Sequence, residues 1–232
     1  MKTSNKILLG IFLTIISLSA TINLMVYAKY KRGEYEPFAR EESMVNYKLP
    51  ALKFVSVTAL CNVEIRNSDT PRFEVRKGEE EGIIYKMVGD TLVFQNKRSL
   101  AEGQMEGGEC NYQYLILYLP ANMQAGFTHA GVKIKGSADS TQAPSFNIQL
   151  HKNSRLVMDN WEGGHKYINQ LQLSGDNSSF DLHDRLSVKD MSLKLLDHCK
   201  FDGKQAAINS VTLDVDNSST MNLSGFSIKN IK

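Results

Sequence analysis

The chain has 232 residues, a formal net charge of +2 and 22% charged residues. That near balance, with no basic stripe interleaved with aromatics, excludes a nucleic-acid binder. Five histidines and three cysteines are scattered without CxxC or metal-ligand spacing, so the sequence calls for no metal and no cofactor.

Lys2 and Lys6 precede Ile7–Ala28, a run of 22 residues without a charge. Such a run is long enough to cross a bilayer as a helix, and longer than the hydrophobic region of most cleaved signals. Residues 1–28 are therefore expected to be a signal-anchor that engages the lipid bilayer through residues 7–28. A cleaved signal peptide is the alternative, since Val26-Tyr27-Ala28 fits a small-residue cleavage pattern. Lys2, Lys6 and the amino terminus nearly balance Lys29, Lys31 and Arg32, so the positive-inside rule does not fix the orientation. The polar, β-rich character of residues 50–232 favours an extracytoplasmic domain at the inner membrane or in the periplasm. A cytoplasmic-facing regulator is the reading for reversed topology. Residues 29–49 are charged, contain Pro37 and show no period, as expected of a tether.

Residues 50–232 read as one all-β domain. Phe54–Val57 and Cys61–Ile65 alternate apolar and polar residues, Asn67–Pro71 is a turn cluster, and Phe73–Val75 is a short strand. Ile83–Met87 and Leu92–Phe94 are expected to form a hairpin around Gly89-Asp90. Ser99–Cys110 is polar and glycine-bearing, a loop excursion, and Tyr112–Pro120 is the most apolar strand. Cys61 and Cys110 are candidates for a disulfide between sheet strands outside the cytoplasm; buried free thiols are the alternative.

From Val132–Ile134 onward, short strands recur. Phe146–Leu150 is followed by Leu156–Met158, Leu171–Leu173 by Phe180–Leu182, Met191–Leu195 by Phe201, and Val211–Val215 by Met221–Leu223; a last strand is expected near Phe226–Ile228. A block of apolar residue, polar Asn/Ser/Asp run and apolar residue appears four times. Its copies are Leu150–Leu156, Leu173–Phe180, Leu195–Phe201 and Val215–Met221, and the closing residues 156, 180, 201 and 221 step by 24, 21 and 20. A period near twenty with strand alternation predicts a β-solenoid, a parallel β-helix-like stack in which each coil buries its apolar face on the next.

Several stretches carry a resemblance: Phe54–Ile65, Phe73-Glu-Val-Arg76, Leu115-Ile-Leu-Tyr-Leu-Pro120, Gly131-Val-Lys-Ile-Lys-Gly136 and Leu173-Ser-Gly-Asp-Asn-Ser-Ser179. Together they resemble the auto-transporter adhesin, head GIN domain family of Bacteroidetes envelope proteins, over about residues 50–230. The resemblance implies a β-solenoid and an envelope location, and it implies no established activity. The Gly-Ser-Gly bends usual in that family are mostly Asn-Ser or Asp-His here.

Two columns of the repeat hold the candidate chemistry. Asp181 and Asp202 each follow the closing aromatic, which places them on adjacent coils with Val157 and Asn222 beyond them. Stacked carboxylates could serve as the acid/base pair of a carbohydrate-active enzyme; two solvated acids are the plain alternative. The second column lies four residues before the closing position and holds Lys152, Asp176, Asp197 and Asn217, with Asn177, His198 and Ser218 beside it. It could face calcium or a sugar, while bend chemistry explains the same residues without a ligand. Trp161 lies in the longest gap between coils, placed either to contact a glycan or protein or to cap the core. His151, His183 and His198 fall at different coil positions and form neither a triad nor a zinc set. Asn177-Ser-Ser179, Asn217-Ser-Ser219 and Asn222-Leu-Ser224 match the glycosylation acceptor pattern and carry no weight in so Asn/Ser-rich a chain. These readings converge on a membrane-anchored envelope binding or structural module rather than an enzyme, with a glycan or an envelope protein as its partner.

Overall fold

The computed structural model describes residues 3–31, 44–97, 111–121, 123–158, 164–182, 185–223 and 228–231. The chain divides into two units, residues 1–43 and residues 44–232. The first contains the helix α1, Thr3–Lys31. Its Leu8–Lys29 stretch is long and apolar enough to cross a membrane. Polar side chains within it bond to their own helix. The Thr14 hydroxyl donates to the Gly10 carbonyl at 2.9 Å, Thr21 to Ser17 at 2.8 Å, and the Asn23 amide to Ser19 at 2.9 Å. Each is paired one turn back, which lowers the cost of placing it in hydrocarbon.

The second unit is all-β. Its first seven strands are β1 (Met44–Lys48), β2 (Phe54–Thr58), β3 (Leu60–Asn67), β4 (Arg72–Arg76), β5 (Ile83–Val88), β6 (Thr91–Asn96) and β7 (Asn111–Leu119). Next come β8 (Gln124–Thr128), β9 (Gly131–Ile134), β10 (Ser145–His151), β11 (Arg155–Met158), β12 (Lys166–Asp176) and β13 (Ser179–Asp181). The last are β14 (Leu186–Leu196), β15 (Lys200–Asp202), β16 (Ala207–Val215), β17 (Thr220–Asn222) and β18 (Ile228–Ile231).

These strands form two nine-stranded sheets. Sheet A runs β1-β4-β7-β3-β9-β11-β13-β15-β17, and sheet B runs β18-β16-β14-β12-β10-β8-β2-β6-β5. From β8 onward the chain alternates between the sheets, and every strand there pairs in parallel with its neighbours. In sheet B, Ile148 pairs with Leu173, Leu173 with Leu193, and Leu193 with Leu213. In sheet A, Leu156 pairs with Phe180, Phe180 with Phe201, and Phe201 with Met221. Like residues thus stack on like between the sheets, and Leu150, Leu156, Phe180 and Leu195 are fully buried there. Alternation does the sorting: inward residues are apolar and outward ones polar.

The N-terminal end differs. β1 pairs antiparallel with β4, β4 antiparallel with β7, and β5 antiparallel with β6 as the expected hairpin. The rings of Tyr47, Phe73, Tyr85 and Phe94 cluster there; Tyr47 stacks on Phe73 at 4.6 Å, and Phe73 meets Phe94 edge-on at 5.0 Å. β1 lies within the stretch expected to be tether. Tyr47 faces this aromatic cluster while Asn46 and Lys48 face solvent, an alternation too short to stand out among charges. β8 has no counterpart among the expected strands: Ala125 and Gly126 give it no bulky alternation, although Phe127 is fully buried.

Candidate functional site

The polar bends between the sheets are built from residues in the left-handed region. Lys152, Asn153, Asn177, Asp197 and His198 have φ of 50°, 60°, 42°, 50° and 64°. Asn and Asp tolerate that conformation better than most residues. The bends bond to one another from coil to coil. The Asn153 amide donates to the Asn177 carbonyl at 2.7 Å, and the Asn177 amide to the Asp197 carbonyl at 2.8 Å. Side chains complete the ladder. The Lys152 amide donates to Asp176 Oδ1 at 3.3 Å, Asp197 to Asp216 Oδ2 at 2.7 Å, His198 to Ser218 Oγ at 2.9 Å, and Cys199 to Ser219 Oγ at 3.1 Å. Ser154 Oγ, buried, accepts from the Ala130 amide at 3.1 Å.

Within the second candidate column, Asp176 and the neighbouring Ser218 accept from backbone amides of the adjacent bends. The column's register is also split: Asp176 ends β12 opposite Leu196, so Asp176 and Asp197 are not strand partners. The physical reason is a bend one residue shorter at this coil, where Gly175 occupies the stacking position of Leu150 and Leu195. His151 Nδ1 lies 2.6 Å from Asp176 Oδ2, and His198 Nδ1 lies 3.0 Å from the exposed Asp197 carboxylate. Among the described residues, no group of three or more His, Cys, Asp or Glu side chains could hold a metal ion.

Asp181 and Asp202 are direct partners on β13 and β15, with Val157 before them and Asn222 after. Asp181 is held by Arg155, whose Nε donates to Oδ2 at 3.0 Å and whose second nitrogen bonds to the same oxygen. The Asp202 carboxylate accepts from the Lys204 amide at 3.2 Å and faces solvent. Neither residue lines the groove on the outer face of sheet B.

Cys61 is disulfide-bonded, whereas Cys199 is a free thiol buried between the sheets. Burial pushes the Cys199 thiol up, which leaves it in the neutral form. Cys110, Trp161 and His183 lie outside the described residues.

The sequence did not single out an ionic cluster on the outer face of sheet A. Glu64, 4% exposed, accepts from Arg66 Nε at 2.6 Å and from the Tyr114 hydroxyl. Burial alone would push Glu64 up. The bonds from Arg66 and Tyr114, with the charges of Arg66 and Lys135, outweigh it and hold the carboxyl below its ordinary value. The Arg72 guanidinium lies 3.6 Å from the centre of the Tyr118 ring, and the Tyr118 hydroxyl donates to Glu74 at 3.1 Å. Opposite charges close on one another here, so the cluster reads as a scaffold that replaces an apolar cover over β7.

Nor did the sequence single out the groove on the outer face of sheet B. It has a volume of about 330 Å³, and Tyr167, Asn169, Ser187, Lys189 and Asn209 line its strand side. Ser140 and Ala143 close it from the β9–β10 connection. That connection is fixed in place. Ser137 and Tyr167 exchange backbone bonds at 3.1 and 2.8 Å, the Asn169 amide donates to the Pro144 carbonyl at 2.8 Å, and Asp139 accepts from the Thr141 amide at 2.8 Å. A β-carbon on Gly136 would lie 3.1 Å from the Tyr167 carbonyl, so the close approach favours glycine. His165 Nε2 lies 2.8 Å from Ser187 Oγ, and its ring is 4.9 Å from that of Tyr167. The recurrence of Ile168, Val188 and Ile208, which pair in register, was the signal that these outward neighbours stand on strands.

No family model matches the chain, and no curated protein matches it. Among solved structures, the chain is similar to a candidate adhesin from Parabacteroides merdae at 9% identity. That match covers 82% of this chain and 75% of the other, with a TM-score of 0.49. A candidate adhesin from Bacteroides fragilis is similar at 8% identity, with 77% of each chain covered and a TM-score of 0.48. A candidate lipid-binding protein from Parabacteroides distasonis is similar at 10% identity, covering 82% of this chain and 96% of that one, with a TM-score of 0.30.

Proposed function

We propose that this chain is a membrane-anchored binding or structural module of the cell envelope, built as a β-solenoid and held outside the cytoplasm by α1. The observation that carries the reading is the unbroken parallel register from β8 to β18, alternating between two sheets. Such a stack gives a rigid surface whose outward ladders are polar and whose bends bond among themselves. It suits display of a wall to a glycan or an envelope protein, and it calls for no moving part. The apolar stretch of α1 supports the anchor, and the resemblance to the head GIN domain family agrees with an envelope location.

The enzyme reading rests on Asp181 and Asp202. Arg155 already engages the Asp181 carboxylate in an ion pair, while Asp202 faces solvent beside it. Replacing both residues by Asn leaves the behaviour of a binding module unchanged and abolishes turnover in a glycan-cleaving enzyme.

Protease shaving of intact spheroplasts tests the topology, with the mass of the protected fragment as readout. Digestion of residues beyond α1 from outside is the expected result. Full protection of the β-domain would overturn the envelope reading and favour a cytoplasmic-facing regulator.

A further inference from the structure

We propose that the groove over β12, β14 and β16 is a binding site for a short saccharide that carries a carboxylate. The inference deepens the envelope-binding reading and rests on it for access to such sugars. Three features of the groove carry it.

The first is preorganisation. The β9–β10 connection is bonded to β12 at two points, through Ser137 with Tyr167 and through Pro144 with Asn169. A wall fixed before the ligand arrives reduces the ordering cost of binding. The volume of about 330 Å³ falls at the lower end of small-molecule sites, where a mono- or disaccharide fits.

The second is the mixture of surfaces. Tyr167 offers an aromatic ring beside the small aliphatic side chains of Ala143 and Ala207. The electron-rich face of such a ring attracts the C–H edge of a pyranose. Asn169 offers an amide and Ser140 a hydroxyl. These groups both donate and accept, as sugar hydroxyls do. A lipid tail or an apolar peptide would leave them unpaired.

The third is charge. Among the described residues, Lys189 is the one charged side chain lining the groove, and it is exposed. The nearest acid on the flanking connection, Asp139, is engaged by the Thr141 amide and hydroxyl, both at 2.8 Å. A carboxylate on the sugar would meet an ammonium and no lining carboxylate, so a uronate or sialate is favoured over a neutral or amino sugar.

The test uses the full chain in detergent and isothermal titration with two matched pairs of probes: digalacturonate against galactobiose, and sialyllactose against lactose. At least one acidic member is expected to bind about fivefold more tightly than its neutral partner, the size of a solvent-exposed charge contact. Lys189→Ala should erase that difference while weak neutral binding persists. Tyr167→Ala should abolish both, and Tyr167→Phe should preserve both; unchanged melting temperatures confirm that the variants fold. No binding of either acidic probe, or binding indifferent to Lys189→Ala and Tyr167→Ala, would overturn the proposal. Since topology is read separately by protease shaving, an exported domain that binds no probe sinks the groove and leaves the envelope reading standing.

Discussion

The Phe180 ring fills the space that the side chain of Gly175 leaves empty. A β-carbon on Gly175 would lie 2.9 Å from Phe180 Cζ and 3.2 Å from the Cys199 sulfur. Gly175 stands between Leu150 and Leu195 in the stack of sheet B, so one coil replaces a leucine with an aromatic ring reaching across from sheet A. Gly175→Ala should therefore cost about 1–3 kcal/mol by overpacking. A urea melt will show it, and adding Phe180→Leu should return part of the loss because the shorter side chain vacates the clash.

Asp216 governs an acid-sensitive bend. Bonds from the Ser219 hydroxyl, the Asp197 amide and Ser218 bring its carboxyl from an ordinary 3.8 to about 2. The folded pKa is depressed, so the contribution is present above the unfolded value and is lost as pH falls toward the folded one. The melting-temperature difference between the native chain and Asp216→Asn should be constant near neutrality and shrink between about pH 4 and pH 2. A difference that does not change across that window would show that the carboxylate charge is irrelevant to the bend.

Removing Glu64 takes away the carboxylate to which Arg66 Nε and the Tyr114 hydroxyl donate, while Arg66 keeps its bond to the Tyr118 hydroxyl at 3.3 Å. Glu64→Ala should destabilise the domain by about 2–3 kcal/mol, below the full cost of breaking a buried pair because Arg66 reaches solvent. Glu64→Gln, which keeps an acceptor, should cost less. Denaturant titration of the two variants side by side checks the order.

Cys61 is in a disulfide, and we propose Cys110 as its partner. Peptide mapping without reductant should yield one cross-linked pair containing both, and Cys199 should react with a thiol reagent only after unfolding. Replacing Cys61 and Cys110 together by Ser should cost about 2–4 kcal/mol. A linked peptide containing Cys199 would refute the assignment.

Much of the strand pattern was legible because inward residues of bulk recur: Leu156, Phe180, Phe201 and Met221 define one stack and are in register. What stayed hidden has a common cause. Where an inward or outward position is filled by a small residue, periodicity has nothing to register, as at Ala125 and Gly126 in β8 and at Gly175 in β12. Alignment from the closing aromatic alone then places Asp176 beside Asp197, although the strand ladder puts Asp176 opposite Leu196. The groove escaped for a related reason. Tyr167 and Asn169 flank a single inward residue, Ile168, and only its pairing with Val188, and of Val188 with Ile208, reveals them as part of a strand. The bend residues were legible as chemistry but ambiguous as function, because the atoms that could receive a ligand also cap a backbone amide.

The alternation of β8 through β18 between two sheets also has a kinetic side. From β10 onward, each new pairing joins segments separated by a single circuit of the chain, as Leu173, Leu193 and Leu213 do. Loop closure then costs nearly the same at every step and stays modest, in contrast to β7, which must find β3 and β4 across the long stretch that contains β5 and β6. The assembly of that first end is the step expected to be slow. Once it exists, the rest can be laid down circuit by circuit in the order in which the chain is delivered, each completed layer serving as the template for the next.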